Sequence, residues 1–175
     1  RIHWIKSYAD TDDFLKLFQL KIRSFLKENH FEEKENLLFF SAHGLPQYCV
    51  DEGDPYQKEC EHSFEEIKKA FPEAESLLAY QSQFGKGLWL QPSTEKVCQN
   101  LSTTRKNVLF IPIAFTSDHI ETLFEIETLY MPIIREKGLK AYRLPAFNQD
   151  KEWLKTIEAL IEKKSTEVNK VLIKR

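Results

Sequence analysis

The chain has 175 residues, 42% of them hydrophobic and 30% charged, which is enough to close one hydrophobic core. A formal net charge of -2 and a pI near 6.3 provide no basic field to hold a phosphate backbone, which argues against nucleic acid as the main partner. No run approaches the ~18 consecutive apolar residues that span a bilayer, so no transmembrane segment is expected, and the opening RIHWIKSYADTDDF lacks the apolar centre of a secretory signal.

The chain starts at Arg1 without an initiator methionine, and its single methionine, Met131, lies far inside, so it reads as a piece of a longer protein. Residues 10–28 place Phe14, Leu17, Phe18, Ile22, Phe25 and Leu26 at helical spacing behind an Asp/Thr-rich start, the pattern of a capped amphipathic helix. The period then changes. Residues 37–41 (LLFFS) form a short apolar run without alternation, as in a strand buried on both faces, and the run stops at Gly44 and Pro46. Runs at 76–82 (SLLAYQS), 107–115 (NVLFIPIAF) and 139–147 (LKAYRLPAF) behave alike. Helical segments separate them, at 56–70, 94–103, 119–137 and 150–164, with Asp54 and Pro55 of GDPY starting the first of these. The lysine-rich tail from Glu162 reads as a fraying, solvated helix end.

Alternation of this kind predicts an α/β fold: a four-stranded parallel sheet with helices on both faces, a Rossmann-like three-layer sandwich formed by a single domain over 1–175. Pro112 inside the third run lacks an amide donor, which points to a sheet edge or a bulge there. The three cysteines, Cys49, Cys60 and Cys98, form no CxxC pair and leave an odd count, consistent with unpaired thiols in a reducing, cytoplasmic setting.

Ligands of open parallel sheets bind beyond the carboxyl ends of the strands, so the residues that follow each run are the ones to inspect. They are SAHGLP with His43, QSQFGKGLWLQP with Gln81, Gln83 and Trp89, FTSDHIETLFEIE with Asp118, His119, Glu121 and Glu125, and LPAFN with Asn148. Histidines and carboxylates gathered on one rim could bind a transition metal or move protons. Glu121 and Glu125, at i and i+4, share a helix face, whereas His119 and Glu121 diverge unless the helix starts irregularly. Plainer readings stand beside these: Asp118, His119 and Glu121 as helix caps, His43 as an ordinary hydrogen-bonded residue, and Trp89 as packing. GxGxxG, GxxxxGK[ST] and GxSxG are all absent, which removes the usual nucleotide cradles and the hydrolase elbow.

Taken together, LLFFSAHGLPQYCVDEGDPY (37–56), YQSQFGKGLWLQP (80–92), NVLFIPIAFTSDHIETLFEIE (107–127) and YRLPAFN (142–148) resemble the ferrochelatases, and WIKSYADTDDFL (4–15) is similar to that family's entry into its second half. The resemblance implies a two-domain chelatase-like enzyme whose C-terminal half is this chain, with porphyrin bound between the halves. It implies insertion of ferrous iron into protoporphyrin IX or coproporphyrin III in haem biosynthesis, with the N-terminal half needed for activity. It also implies roles by position. His43 and Glu121 are the catalytic pair, His43, Glu121 and Glu125 handle the metal, and Trp89, His119 and Ser41 contact the porphyrin.

Two positions depart from the family's pattern. Gln83 stands where arginine is common, and Leu129 where the acidic row often continues. The chain also lacks a C-terminal cysteine cluster, so the expected type is bacterial, with iron as substrate and no iron-sulfur centre. The alternatives are a related tetrapyrrole chelatase, such as one inserting cobalt into a sirohydrochlorin, and a non-catalytic Rossmann-like binding module.

Overall fold

The computed structural model describes residues 2–173, with side chains through 167. Helix α1 (Asp12–Glu28) buries Phe14, Leu17, Phe18, Ile22 and Leu26, the stripe set by its period. The chain continues through β1 (Asn36–His43), the short α2 (Gln47–Asp51), α3 (Tyr56–Lys68), β2 (Glu75–Gln81), α4 (Thr94–Asn100) and β3 (Asn107–Pro112). A π-helix (Glu121–Tyr130) then runs directly into α5 (Met131–Glu136), followed by β4 (Lys140–Arg143) and α6 (Lys151–Ile173). Helix α6 extends well past residue 164, so the tail expected to fray is helical through Ile173. Its last two residues lie outside the described region.

All strand pairs are parallel and the order is β2-β1-β3-β4. Side chains alternate between two cores. Leu38, Phe40 and Ala42 of β1 face α1, α3 and α6, packing with Phe18, Phe64 and Trp153. Leu37 and Phe39 face α4, the π-helix and α5, packing with Cys98, Ile126 and Ile134. Helices therefore cover both faces, as the alternation of runs predicts.

Pro112 is where expectation and structure part. Strand β3 lies between β1 and β4, at neither edge and without a bulge. Ile113 N–H donates to Ser41 on the β1 side, while Leu144 N–H reaches Phe110 from the β4 side. Because neighbouring residues alternate sides, the nitrogen of Pro112 faces the β4 side, beyond Arg143, where β4 ends. No ladder hydrogen bond is lost. The expected α-helix over 119–137 is also corrected, since residues 121–130 within it form a π-helix. Pro132 marks the change of period: it has no N–H for either an i−4 or an i−5 carbonyl, so one helical pattern can end and the other begin there.

Candidate active site

Chain direction across the sheet reverses at β1. From β1 the chain moves outward to β2 by way of α3, then returns past β1 to β3 by way of α4 on the opposite face. The carboxyl ends of β1 and β3 thus flank the switch point where open α/β sheets bind ligands. His43 is the last residue of β1.

His43 shares a face with Leu37, Phe39 and Ser41, so this face changes from apolar to polar toward the carboxyl rim. Its Nδ1 lies 2.7 Å from Glu121 Oε2. Both side chains stay partly open, 34% and 25% exposed, and the contact uses only Nδ1 of His43 and Oε2 of Glu121. Glu121 lines a cavity of about 760 Å³, along with Trp89, Phe124, Leu129 and the buried Gln81 and Ser82.

The loop after β1 is held close. Gly44 N–H donates to the Gln81 carbonyl at 2.7 Å, and the chain from Leu45 to Gln47 pairs with Leu88 and Leu90, which brings Trp89 beside the strand tip. Gln83 donates to the Leu90 carbonyl at 2.8 Å, so its amide serves as a loop tie. Leu129 is exposed at the cavity.

The carboxylate of Glu125 is buried and heavily hydrogen-bonded. It accepts from Ser82 Oγ at 2.8 Å, Gln81 Nε2 at 3.2 Å and Tyr130 Oη at 3.2 Å. Tyr130 is five residues further on, a pairing favoured by the wide π-turn. Burial first, then the neighbouring Glu125 charge, raises the Tyr130 phenol above its ordinary value, so it stays protonated as donor. Ser82 adopts φ 59, a left-handed conformation that costs a serine about 1–3 kcal/mol and turns its hydroxyl onto Glu125. Glu125 is therefore an anchored acceptor on the cavity wall, with most of its donors gathered on Oε2.

Ser41 is fully buried between Gln81 and Thr94 and lines no part of the cavity. It supports the site from beneath and is not placed to touch a substrate. His119 Nδ1 accepts from the Glu121 N–H at 3.2 Å, and its ring packs edge-on against Phe115 at 5.0 Å. This is the irregular start that brings residues 119 and 121 together. Neither sequence spacing nor residue type singled out Ser82 or Tyr130; the wide helix brings Tyr130 to Glu125, and the turn after β2 brings Ser82.

Asp118 holds the loop after β3 to the end of β4. It accepts from Arg143 Nη1 at 2.6 Å, Asn148 Nδ2 at 2.9 Å and Thr122 Oγ1 at 3.0 Å. Burial opposes its ionisation, but Asn148, the Arg143 charge and Thr122 together outweigh it and hold the carboxyl below its ordinary value. Its stabilisation is thus complete above roughly pH 4 and drains away as pH falls through the lowered value. Asp118→Asn should cost about 1–3 kcal/mol at neutral pH and make thermal unfolding less dependent on pH in the acid range. Thermal melts from pH 7 downward give both numbers; parallel curves for the two proteins would show that Asp118 carries no pH-linked stability.

Burial pushes the Cys60 and Cys98 thiols up to about 12, so neither is a thiolate near neutrality. Among the described residues, no group of three or more His, Cys, Asp or Glu side chains is arranged around a common metal position.

Fold and site together define an open-sheet α/β domain with a histidine–carboxylate pair at its switch point. The family model described as Ferrochelatase matches residues 1–165, and the chain belongs to the ferrochelatase family. It is similar to ferrochelatases of Chlamydia pneumoniae (42% identical over 99% of this chain and 53% of that protein) and Chlamydia caviae (41% identical over 99% and 54%). That of Chlamydia felis is 42% identical, again over 99% of this chain and 54% of the relative. The chain spans about half the length of the curated relatives it matches.

Proposed function

We propose that this chain is the C-terminal half of a ferrous-iron-inserting porphyrin chelatase, a lyase of haem biosynthesis, and supplies one wall of its site. The observation that carries this is the 2.7 Å contact between His43 and Glu121 at the switch point of a ferrochelatase-family domain. Metallation exchanges two pyrrole N–H protons for Fe(II), so the site needs a proton acceptor and an incomplete metal shell that releases the ion. With Nδ1–H held by Glu121, the imidazole presents its Nε2 lone pair outward, as a base or a transient ligand. A pair leaves coordination positions for the macrocycle, where a full set of strong ligands would trap the ion.

Trp89 and the His119 neighbourhood form the proposed porphyrin-facing surface, and Glu125 a fixed negative charge that favours an incoming cation. The proposed partners are the porphyrin, ferrous iron and the remaining half of the enzyme. No resident cofactor or iron-sulfur centre enters this reading. The proposed location is cytoplasmic; no helix among the described residues is long and apolar enough to cross a membrane.

Anaerobic assays of the full-length protein with Fe(II) and protoporphyrin IX or coproporphyrin III, followed by absorbance, test the proposal. Iron insertion is expected from the whole protein, and none from residues 1–175 alone, because a flat macrocycle needs a second wall to exclude water and hold it bent. No iron insertion into either porphyrin by the whole protein, or insertion of cobalt into a sirohydrochlorin instead, would overturn it.

A further inference from the structure

The buried side chain of Gln81 bonds the backbone of one member of the site pair, and its residue is the register partner of the other. It closes β2 directly opposite His43 in the β1–β2 register and is only 1% exposed. Its Nε2 donates one hydrogen bond to the main-chain carbonyl of Glu121 at 2.8 Å and another to Glu125 Oε2 at 3.2 Å. Its Oε1 accepts from Ser41 Oγ at 2.8 Å. With that proton committed, the 3.0 Å contact between Ser41 and Thr94 must have Thr94 as donor.

These partners fix the amide's orientation. Turned over, it would set an oxygen against the Glu121 carbonyl and the Glu125 carboxylate. A buried amide needs its bonds satisfied, but a filler of the core could satisfy them anywhere. Here one goes to the backbone of the residue whose carboxylate holds His43, while the Gln81 carbonyl accepts from Gly44 N–H, the residue next to His43.

We propose that Gln81 is a positioning residue that sets the separation of His43 and Glu121 by clamping the first turn of the π-helix to the end of the sheet. This rests on the proposed role of the pair in metallation. Without the clamp, the helix start is free to move relative to the strand tip, and misplacement on the ångström scale costs catalysis up to about 100-fold.

The test uses the full-length protein carrying Gln81→Met, which keeps the shape but removes the amide, with Thr94→Val as a control at the far end of the same network. Melting temperature, kcat, KM for porphyrin and the His43 ring resonances by NMR are measured for each. Gln81→Met should lower kcat about 10- to 100-fold with KM nearly unchanged, and lose the Nδ1–H signal of the bond to Glu121. Thr94→Val should lower the melting temperature comparably while keeping that signal and most of kcat. Should Gln81→Met fail to fold, Gln81→Asn, which withdraws the amide by one methylene, replaces it.

Persistence of the Nδ1–H signal in the Gln81 variant overturns the positioning role, whatever the rates. Equal losses of kcat in Gln81→Met and Thr94→Val also overturn it, by reducing the effect to stability. Loss of the signal with unaltered metallation supports the positioning role and overturns instead the assignment of the pair to metallation.

Discussion

In the full-length protein, His43→Ala is expected to abolish iron insertion while leaving the melting transition within a few degrees of wild type. The side chain is a third exposed, and its one hydrogen bond goes to a carboxylate that water can reach once the imidazole is gone. Losing such a bond costs about 1 kcal/mol, or about 2–4 °C at this chain size. Catalysis has no such substitute. A positioned general base is worth roughly 10²–10⁴ in rate, and the same nitrogen is the one free to touch the metal. Glu121→Gln should fall less steeply, because the amide can still orient the ring. Stopped-flow metallation alongside thermal melts decides the matter. Activity within a few-fold of wild type at unchanged stability would remove His43 from the chemistry.

The second large effect is expected at Gly44, where the methyl of an alanine would sit 2.7 Å from the Gln81 carbonyl oxygen and 3.2 Å from Gln83 Cγ. Side-chain Gln83 can yield, but the backbone carbonyl cannot, because it accepts the Gly44 N–H and belongs to β2. Gly44→Ala must therefore push the loop off the sheet, costing about 1–3 kcal/mol as overpacking does and tilting His43 away from Glu121. Trp89, 3.6 Å from the same point, moves with the loop. Activity should fall at least as far as for Glu121→Gln, with a lowered melting temperature, unlike His43→Ala. Retention of full activity would mean that the loop adjusts without disturbing the strand tip.

The strands were legible because a strand buried on both faces has to be an unbroken apolar run, and Gly44, Pro46 and the turn at Gly138 limit such runs. Each apolar run overlaps its observed strand: the first falls inside β1, the second is shifted from β2 by one residue, and the third and fourth overshoot after Pro112 and Arg143. The position of Pro112 was misread because its harmlessness depends on where a different strand ends, 31 residues later at Arg143. The π-helix was hidden for another reason. Spacing places Glu121 and Glu125 on one side under either helical period, and the pairing that separates the two, Glu125 with Tyr130, has no composition of its own. Gln81 could be placed on the rim but given no role, and Ser82 was not singled out, since a polar pair at a strand end reads as an ordinary turn. Only register and the neighbouring helix give them partners. His43 and Glu121 could be named from motif resemblance, while the distance between them could not.

The alternation of faces along β1 has one more consequence, for changes in chain length. Leu37, Phe39, Ser41 and His43 point one way and Leu38, Phe40 and Ala42 the other, so each residue's side is decided by counting from the first paired position. Adding or deleting a single residue between Asn36 and Ser41 would carry His43 to the face of α1 and α3, away from Glu121, and send phenylalanines into the opposite core. A change by two would restore the side but displace the strand tip by about 7 Å. The segment can thus drift by substitution, within its packing limits, yet its length is frozen, as is the number of residues separating Asn36 from the histidine.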